Sequence, residues 1–280
     1  MKHIKKYHAF SFLIIALVFL SSCSSNDDSD KSEDNEVIAE KLAITSFKML
    51  SSNHTFSVIK AHTQPLDSLV VCLFPSAVDY SNISPIIEFE GASIEYRINN
   101  EAFHAYNVSL EESIDFSYPN TIDFKVANSD NSDSKVYRII VDTERPIVFN
   151  NIEIEIPDSQ VNVSYSGLGI STWTNVGNYP IRLALRTTEY VDVVTPEAGL
   201  NNAFSTTLTD QSDFAQPNQS GDVNVFAGAT MVGAYSATAL FNLYFNENLG
   251  YLVYDDIANE YVKNIGYQKA ALRLKGQIIE

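Results

Sequence analysis

The sequence predicts an all-β protein, two antiparallel β-sandwiches of Ig-like or jelly-roll type in tandem behind an N-terminal export signal. Three observations carry the β assignment. Short runs of Val, Ile, Tyr, Phe and Thr recur along most of the chain, separated by Asn, Asp, Ser, Gly and Pro, which is how strands and their turns read. Ile152-Glu153-Ile154-Glu155-Ile156 alternates apolar and acidic residues with the period of two that a half-buried strand requires. Helical periodicity is nearly absent; it is confined to Val37–Leu42 and Thr195–Ala203, where Pro196 suits a first helical turn.

The N-terminus is read separately from the fold. Lys2, Lys5 and Lys6 form a basic segment, and Phe10 to Leu20 is an apolar run too short to span a bilayer, so residues 1–22 read as an export signal. Leu20-Ser21-Ser22-Cys23 follows, and this stretch resembles the lipobox of bacterial lipoproteins. The resemblance implies cleavage before Cys23 and acylation of its thiol and amino groups; two or more acyl chains anchor a protein stably. Residues 23–41 then carry six acids between Ser24 and Glu36 with no apolar side chain, a composition that cannot offset its ordering entropy and reads as a tether. Acids just behind the lipidated Cys are similar to the surface-export signal of Bacteroidetes-type lipoproteins. Together these imply an outer-membrane location with outward display.

Charge narrows the partners. The whole chain has a formal charge of −17, which becomes −20 once the three signal lysines are removed. A chain this acidic lacks the basic footprint of nucleic-acid binding and offers no polybasic second membrane anchor. With Cys23 acylated, Cys72 is the only remaining thiol, so no intrachain disulfide can form. It sits within Leu69–Phe74, where a free Cys behaves as a small buried hydrophobe.

The first module spans residues 42–143. Ile44–Met49, Thr55–Ile59, Ser68–Phe74, Ile86–Phe89, Ala92–Ile98, Thr121–Ala127 and Lys135–Val141 each read as a strand bounded by turn residues. Ser68–Phe74 is apolar enough to lie between two covered faces, and Pro75 ends it. The order Ile44 and Phe47, Val70 to Pro75, Asp79 with Ile83 and Pro85, Gly91, Asp115-Phe116 before Pro119, and Ser134–Ile139 resembles an Ig-like domain of unknown function common behind the lipobox of such lipoproteins. In place of that family's Asp-Gly hairpin stands Ser129-Asp130-Asn131-Ser132-Asp133, a longer loop. The resemblance carries no catalytic residues and implies a spacer lifting a distal module off the membrane.

Asp142-Thr143-Glu144-Arg145-Pro146 is charged, ends in Pro and reads as the boundary; the second module spans residues 147–280. Its expected strands are Ile152–Ile156, Val161–Ser164, Gly169–Thr174, Ile181–Arg186, Tyr190–Val194, Val223–Val232, Ser236–Phe245, Gly250–Tyr254, Glu260–Val262 and Lys269–Gln277. Asn175-Val176-Gly177-Asn178 reads as a turn, and Thr209–Gly221 as a long polar loop.

Chemistry is sparse. His54, His62 and His104 are the histidines after Cys23, all in the first module, so a Ser-His, Cys-His or zinc arrangement cannot be assembled within the second. No metalloprotease, nucleophile-elbow, P-loop or dinucleotide fingerprint occurs, and no cofactor is implied. Asp255-Asp256 are neighbours that would face opposite sides of a strand, which makes a poor carboxylate pair. The loop at 128–134 offers oxygen ligands for calcium without EF-hand spacing and reads as a solvated hairpin tip. The aromatic residues of the second module are the candidate ligand-binding set: Tyr179, Tyr251, Tyr254 and Tyr261 beside expected loops, and Trp173, although a lone Trp in a sandwich is more often core. The expectation is a non-enzymatic protein that binds a glycan or another surface macromolecule, the alternative being an adhesive component with a protein partner. Replacing Cys23 by Ser should release the protein from membranes in fractionation after detergent-free washing; retention in the pellet would contradict lipid anchoring.

Overall fold

The computed structural model describes residues 41–51, 54–58, 69–110, 112–209, 214–245, 253–255, 260–262 and 265–280. Cys23, the tether and the possible helix at Val37–Leu42 fall largely or wholly outside these residues. The described residues contain strands, turns and irregular segments and no helix.

The first sandwich packs a three-stranded sheet on a five-stranded one. Strands β1 (Ala43–Ser51), β2 (His54–Val58), β3 (Leu69–Phe74), β4 (Ser84–Glu90), β5 (Ser93–Ile98), β6 (His104–Ala105), β7 (Ile122–Ala127) and β8 (Ser134–Thr143) form the orders β2-β1-β4 and β3-β8-β7-β5-β6. Inward-facing Phe47, Met49 and Ile87 of one sheet meet Val70, Cys72, Phe74, Ile94, Phe124 and Val141 of the other. Cys72 is fully buried there, and burial pushes its thiol far above the ordinary range.

The second sandwich follows without a free linker. Strands β9 (Ile147–Phe149), β10 (Glu153–Glu155), β11 (Ser159–Gln160), β12 (Tyr165–Asn175), β13 (Ile181–Val194), β14 (Phe204–Leu208), β15 (Ser220–Ala227) and β16 (Gly233–Phe245) precede a hairpin of β17 (Val253–Asp255) and β18 (Glu260–Val262), then β19 (Ala270–Ile279). One sheet runs β14-β15-β12-β9; the other runs β10-β19-β16-β13, with β11 added to β19. From Tyr235 to Phe245 every second residue of β16 is buried, the pattern of a strand with one face in the core.

Local differences from the expected elements have local causes. Thr195–Ala203 is a loop, because Gly199 takes φ of 87°, a left-handed conformation that a right-handed helix cannot carry. Val161–Ser164 is a turn with Asn162 at φ of 60° rather than a strand. The two strands expected between Ile181 and Val194 are one continuous β13, bent by register shifts between Ala184 and Glu189 and between Val191 and Val194. Three pairings are parallel: β3 with β8, and β10 and β11 with β19.

The β3–β8 pair is where the two sandwiches join. Val70, Cys72 and Phe74 of β3 and Ile139 and Val141 of β8 face the first core, whereas Leu69 and Val71 of β3 and Ile140 of β8 belong to the second. A strand pair covered on both faces is apolar throughout, which accounts for the unbroken Leu69–Phe74 run. Asp142 and Thr143, which read as part of a charged boundary, are instead completely buried at the end of β8.

Polar groups complete the junction. The Asn178 side chain donates to Phe116 O and Val141 O, both at 2.8 Å, and its Oδ1 accepts from Tyr118 N at 2.9 Å, while its backbone N–H donates to Asp142 Oδ1 at 2.7 Å. One residue of the second sandwich thus satisfies four groups of the first. Neighbouring Gly177 is required by space, since a Cβ there would stand 2.8 Å from Asp142 Oδ1 and 2.6 Å from Pro146 Cβ. Arg145 Nε donates to Gln268 Oε1 at 2.7 Å, and Gln268 N donates to Glu144 O at 2.7 Å, so the segment between the sandwiches is tied down. Asn178→Ala strands two carbonyls and an amide in a buried site and should lower stability by about 2–4 kcal/mol in urea denaturation; a loss below about 0.5 kcal/mol would show that these bonds do not hold the halves together.

Candidate functional site

Strand directions decide which end of each sandwich is free. β3 and β8 both run toward the junction, and β1 begins at the other end of the first sandwich, where Ala43 pairs with Glu90. β12 runs toward the junction, β13 returns to the far end, and β15 and β19 finish there. The segments 161–164, 195–203 and 228–232 and the C-terminal end of β19 therefore gather at the end of the second sandwich remote from the first. Backbone bonds tie them together: Asn162 N to Ala229 O at 2.9 Å, Gly228 N to Ala203 O at 2.9 Å and Val161 N to Ile279 O at 2.8 Å.

This distal end carries two adjoining depressions that share Gly228. One, of about 330 Å³, is lined by Ser164, Tyr165, Ser166, Ala203, Ser205, Phe226 and Ala227 as well. The other, of about 280 Å³, is lined by Gly199, Leu200, Asn201, Asn202, Ala229, Thr230 and Tyr235. Register explains the first: Ser205 of β14 and Ser166 of β12 are both direct partners of Phe226 on β15, which sets a half-buried aromatic ring between two exposed hydroxyls on one sheet face. Asn202 is occupied with Phe204, accepting its N–H at 3.2 Å and donating to its carbonyl at 2.7 Å, and the Tyr235 hydroxyl donates to Met231 O at 3.0 Å. Ser164, Ser166, Ser205, Asn201 and Thr230 stay exposed. No Asp, Glu, Lys, Arg or His lines either depression. Apolar residues lie exposed around the same end, with Val163 at 50%, Val194 at 56% and Val232 at 42%.

The aromatic residues expected to bind ligand do not gather here. Trp173 is fully buried in the second core, with its indole N–H donating to Thr209 O at 3.1 Å, so it is a packing residue. Tyr179 is 5% exposed and stacks edge-on to Tyr118 and Phe245 at the junction, the opposite end from the depressions. Both are corrected as ligand contacts, because a ring enclosed by protein cannot meet a ligand. Tyr254 and Tyr261 are register partners in the β17–β18 hairpin, within the connection that leaves β16 and returns to β19 at their junction ends. Their side chains, and Tyr251 altogether, lie outside the described residues. Sequence reading missed Phe226, Ser166 and Ser205 because they come from three separate stretches, and the signal available was weak, a Phe set among Asn, Val and Ala.

Charged clusters in the first sandwich are internally satisfied. Asp123, whose side chain is 3% exposed, is met by the guanidinium groups of Arg97 at 2.9 Å and of Arg138, and Lys125 pairs with Glu95. In the loop at 128–134, Asp130 and Asp133 accept from the backbone amides of Ser132 and Ser134, and the Ser132 hydroxyl, followed by its amide, holds the Asp130 carboxyl below its ordinary range. Among the described residues no group of three His, Cys, Asp or Glu side chains is placed to hold a metal ion.

No family model matches the chain, and no curated protein matches it. Solved structures with partial likeness include the ASH/PapD-like domain of human CEP192, at 14% identity and a TM-score of 0.31 over 48% of this chain and 86% of that one. The secreted serine protease VesC from Vibrio cholerae aligns at 14% identity and a TM-score of 0.29 over 48% of this chain and 23% of that one. Domains 4 and 5 of the S-layer protein SbsC align at 8% identity and a TM-score of 0.24 over 85% of this chain and 99% of that one. Scores this low assign no function.

Proposed function

We propose that the chain is a non-enzymatic binding protein, anchored at the outer membrane through lipid on Cys23 and displayed outward, that contacts a glycan through the distal end of its second sandwich. The observation that carries this reading is the row Ser166, Phe226, Ser205. A ring face accepts the C–H face of a sugar while the flanking hydroxyls exchange hydrogen bonds with its hydroxyls. The uncharged lining favours a neutral glycan, and a chain whose formal charge of −17 becomes −20 on losing the three signal lysines repels an acidic one. The arrangement suits presentation as well, since the described chain begins at the end of the first sandwich that lies away from the junction, and the depressions lie beyond the junction at the far end of the second. In this reading the first sandwich is the spacer.

A second reading has its own observation. Val163, Val194 and Val232 expose apolar surface around the same end, which suits a protein partner and an adhesive role. Tyr254 and Tyr261, singled out from the sequence, remain the alternative contact residues for either partner.

Affinity electrophoresis of the Cys23→Ser full-length chain separates these readings. A gel containing neutral polysaccharide should retard it, a gel containing uronate polysaccharide should not, and Phe226→Ala should weaken retardation about tenfold, equivalent to about 1.4 kcal/mol. Loss of retardation on changing Tyr254 and Tyr261 to Ala, with Phe226→Ala unaffected, would move the contact to the hairpin. No retardation by any polysaccharide, with a protein cross-linked at the distal end, would replace the glycan reading by the adhesive one.

A further inference from the structure

The two most deeply buried carboxylates of the described chain stand in opposite surroundings. Asp123 has two guanidinium partners. Asp142, with no exposed surface, sits between the sandwiches, and what meets it is neutral. Its own strand supplies the Thr143 N–H to Oδ1 at 2.7 Å. The turn at 176–180 supplies the Asn178 N–H to Oδ1 at 2.7 Å, with the Tyr179 amide close by. The segment before β19 supplies the Tyr267 hydroxyl to Oδ2 at 2.5 Å. The segment after β3 brings Tyr80, and its proximity to Asp142 helps to push the Tyr80 hydroxyl above its usual range, after burial. The charged side chains on these elements are directed elsewhere: Asp79 to Ser81, Asp115 to Ser117, Arg145 to Gln268, Lys269 to Glu189.

The Tyr80 hydroxyl is sealed from solvent beside this carboxylate and acts on it as a further neutral donor. None of these groups carries a positive charge, so an ionised Asp142 meets dipoles and no counter-ion.

We propose that the junction is a proton-operated lock: a proton taken up by Asp142 removes a buried charge that has no counter-ion between the sandwiches and tightens the second sandwich on the first. Loss of the proton leaves a buried carboxylate with neutral donors alone at the same place and loosens the contact. Burial pushes the Asp142 carboxyl up to about 6, against the opposing pull of the Tyr267 hydroxyl and the backbone amides. The folded protein therefore holds the proton over a range where the unfolded chain, with its ordinary value of 3.8, has lost it. The stabilisation is complete below the unfolded value and disappears as pH rises through the folded one. This inference is independent of the glycan reading.

The test is a carbon-13 titration of the aspartate carboxyls in the full-length chain, with amide protection factors at Thr143 and Asn178 followed over the same pH range. The Asp142 carboxyl should titrate near pH 6, and protection at both amides should fall severalfold as pH rises through that midpoint. Tyr80→Phe removes a donor to the carboxylate and should raise the midpoint. Asp142→Asn, uncharged at every pH, should keep protection level from pH 5 to 7.5. If that variant does not fold, the wild-type titration and Tyr80→Phe decide. A midpoint at or below about 4 would overturn the proposal, as would amide protection unchanged from pH 5 to 7.5 while Asp142 titrates.

Discussion

The parallel pairing of β3 with β8 is the constraint on which the rest of the structure depends. Register places Leu69 opposite Arg138 and Phe74 opposite Thr143, and alternation along each strand then sends successive side chains into different cores. Leu69, Val71 and Ile140 leave water only if the second sandwich is present, and each contributes roughly 1.5–3 kcal/mol on full burial. A tandem protein with an exposed linker holds its domains by a modest polar interface, and relative motion is the default. Here one sheet of the first sandwich is also part of the wall of the second core.

What surrounds that pair follows from its being buried. Carbonyls and amides near the end of β8 and in the 116–118 segment have no solvent to turn to, and Asn178 meets them with both its amide and its backbone. Asn175 does the same inside the second sandwich, donating to Tyr179 O and Ala215 O, both at 2.9 Å, which fixes the turn that carries Asn178. With one end of the second sandwich committed in this way, the loops of its other end are left for a partner.

Much of the fold was legible because burial writes itself into alternation. The strands Ile86–Phe89, Thr121–Ala127 and Ser236–Phe245 lie within β4, within or one residue beyond β7, and within β16, and the unbroken apolar run Leu69–Phe74 read as covered on both faces before its coverings were known. The parallel pairing of that run with residues 138–143 was not legible, because strands so distant in sequence leave no local signal of their partnership. Asn175-Val176-Gly177-Asn178 read as a turn by composition; that its asparagines are buried because they serve other backbone groups is a use that polarity alone does not reveal. Tyrosine abundance pointed toward binding, yet Tyr179 and Tyr267 are buried at the junction, where a hydroxyl can reach a carboxylate and a ring can pack. The distal depressions were hidden in the sequence because their lining is mostly Ser, Ala, Gly and Asn, drawn together from five segments.

If the two sandwiches form one cooperative body, differential scanning calorimetry of the full-length Cys23→Ser chain should show one unfolding transition whose calorimetric and van't Hoff enthalpies agree, since neither core is complete without β3 and β8. Two resolved transitions, each with the enthalpy of a single sandwich, would contradict it.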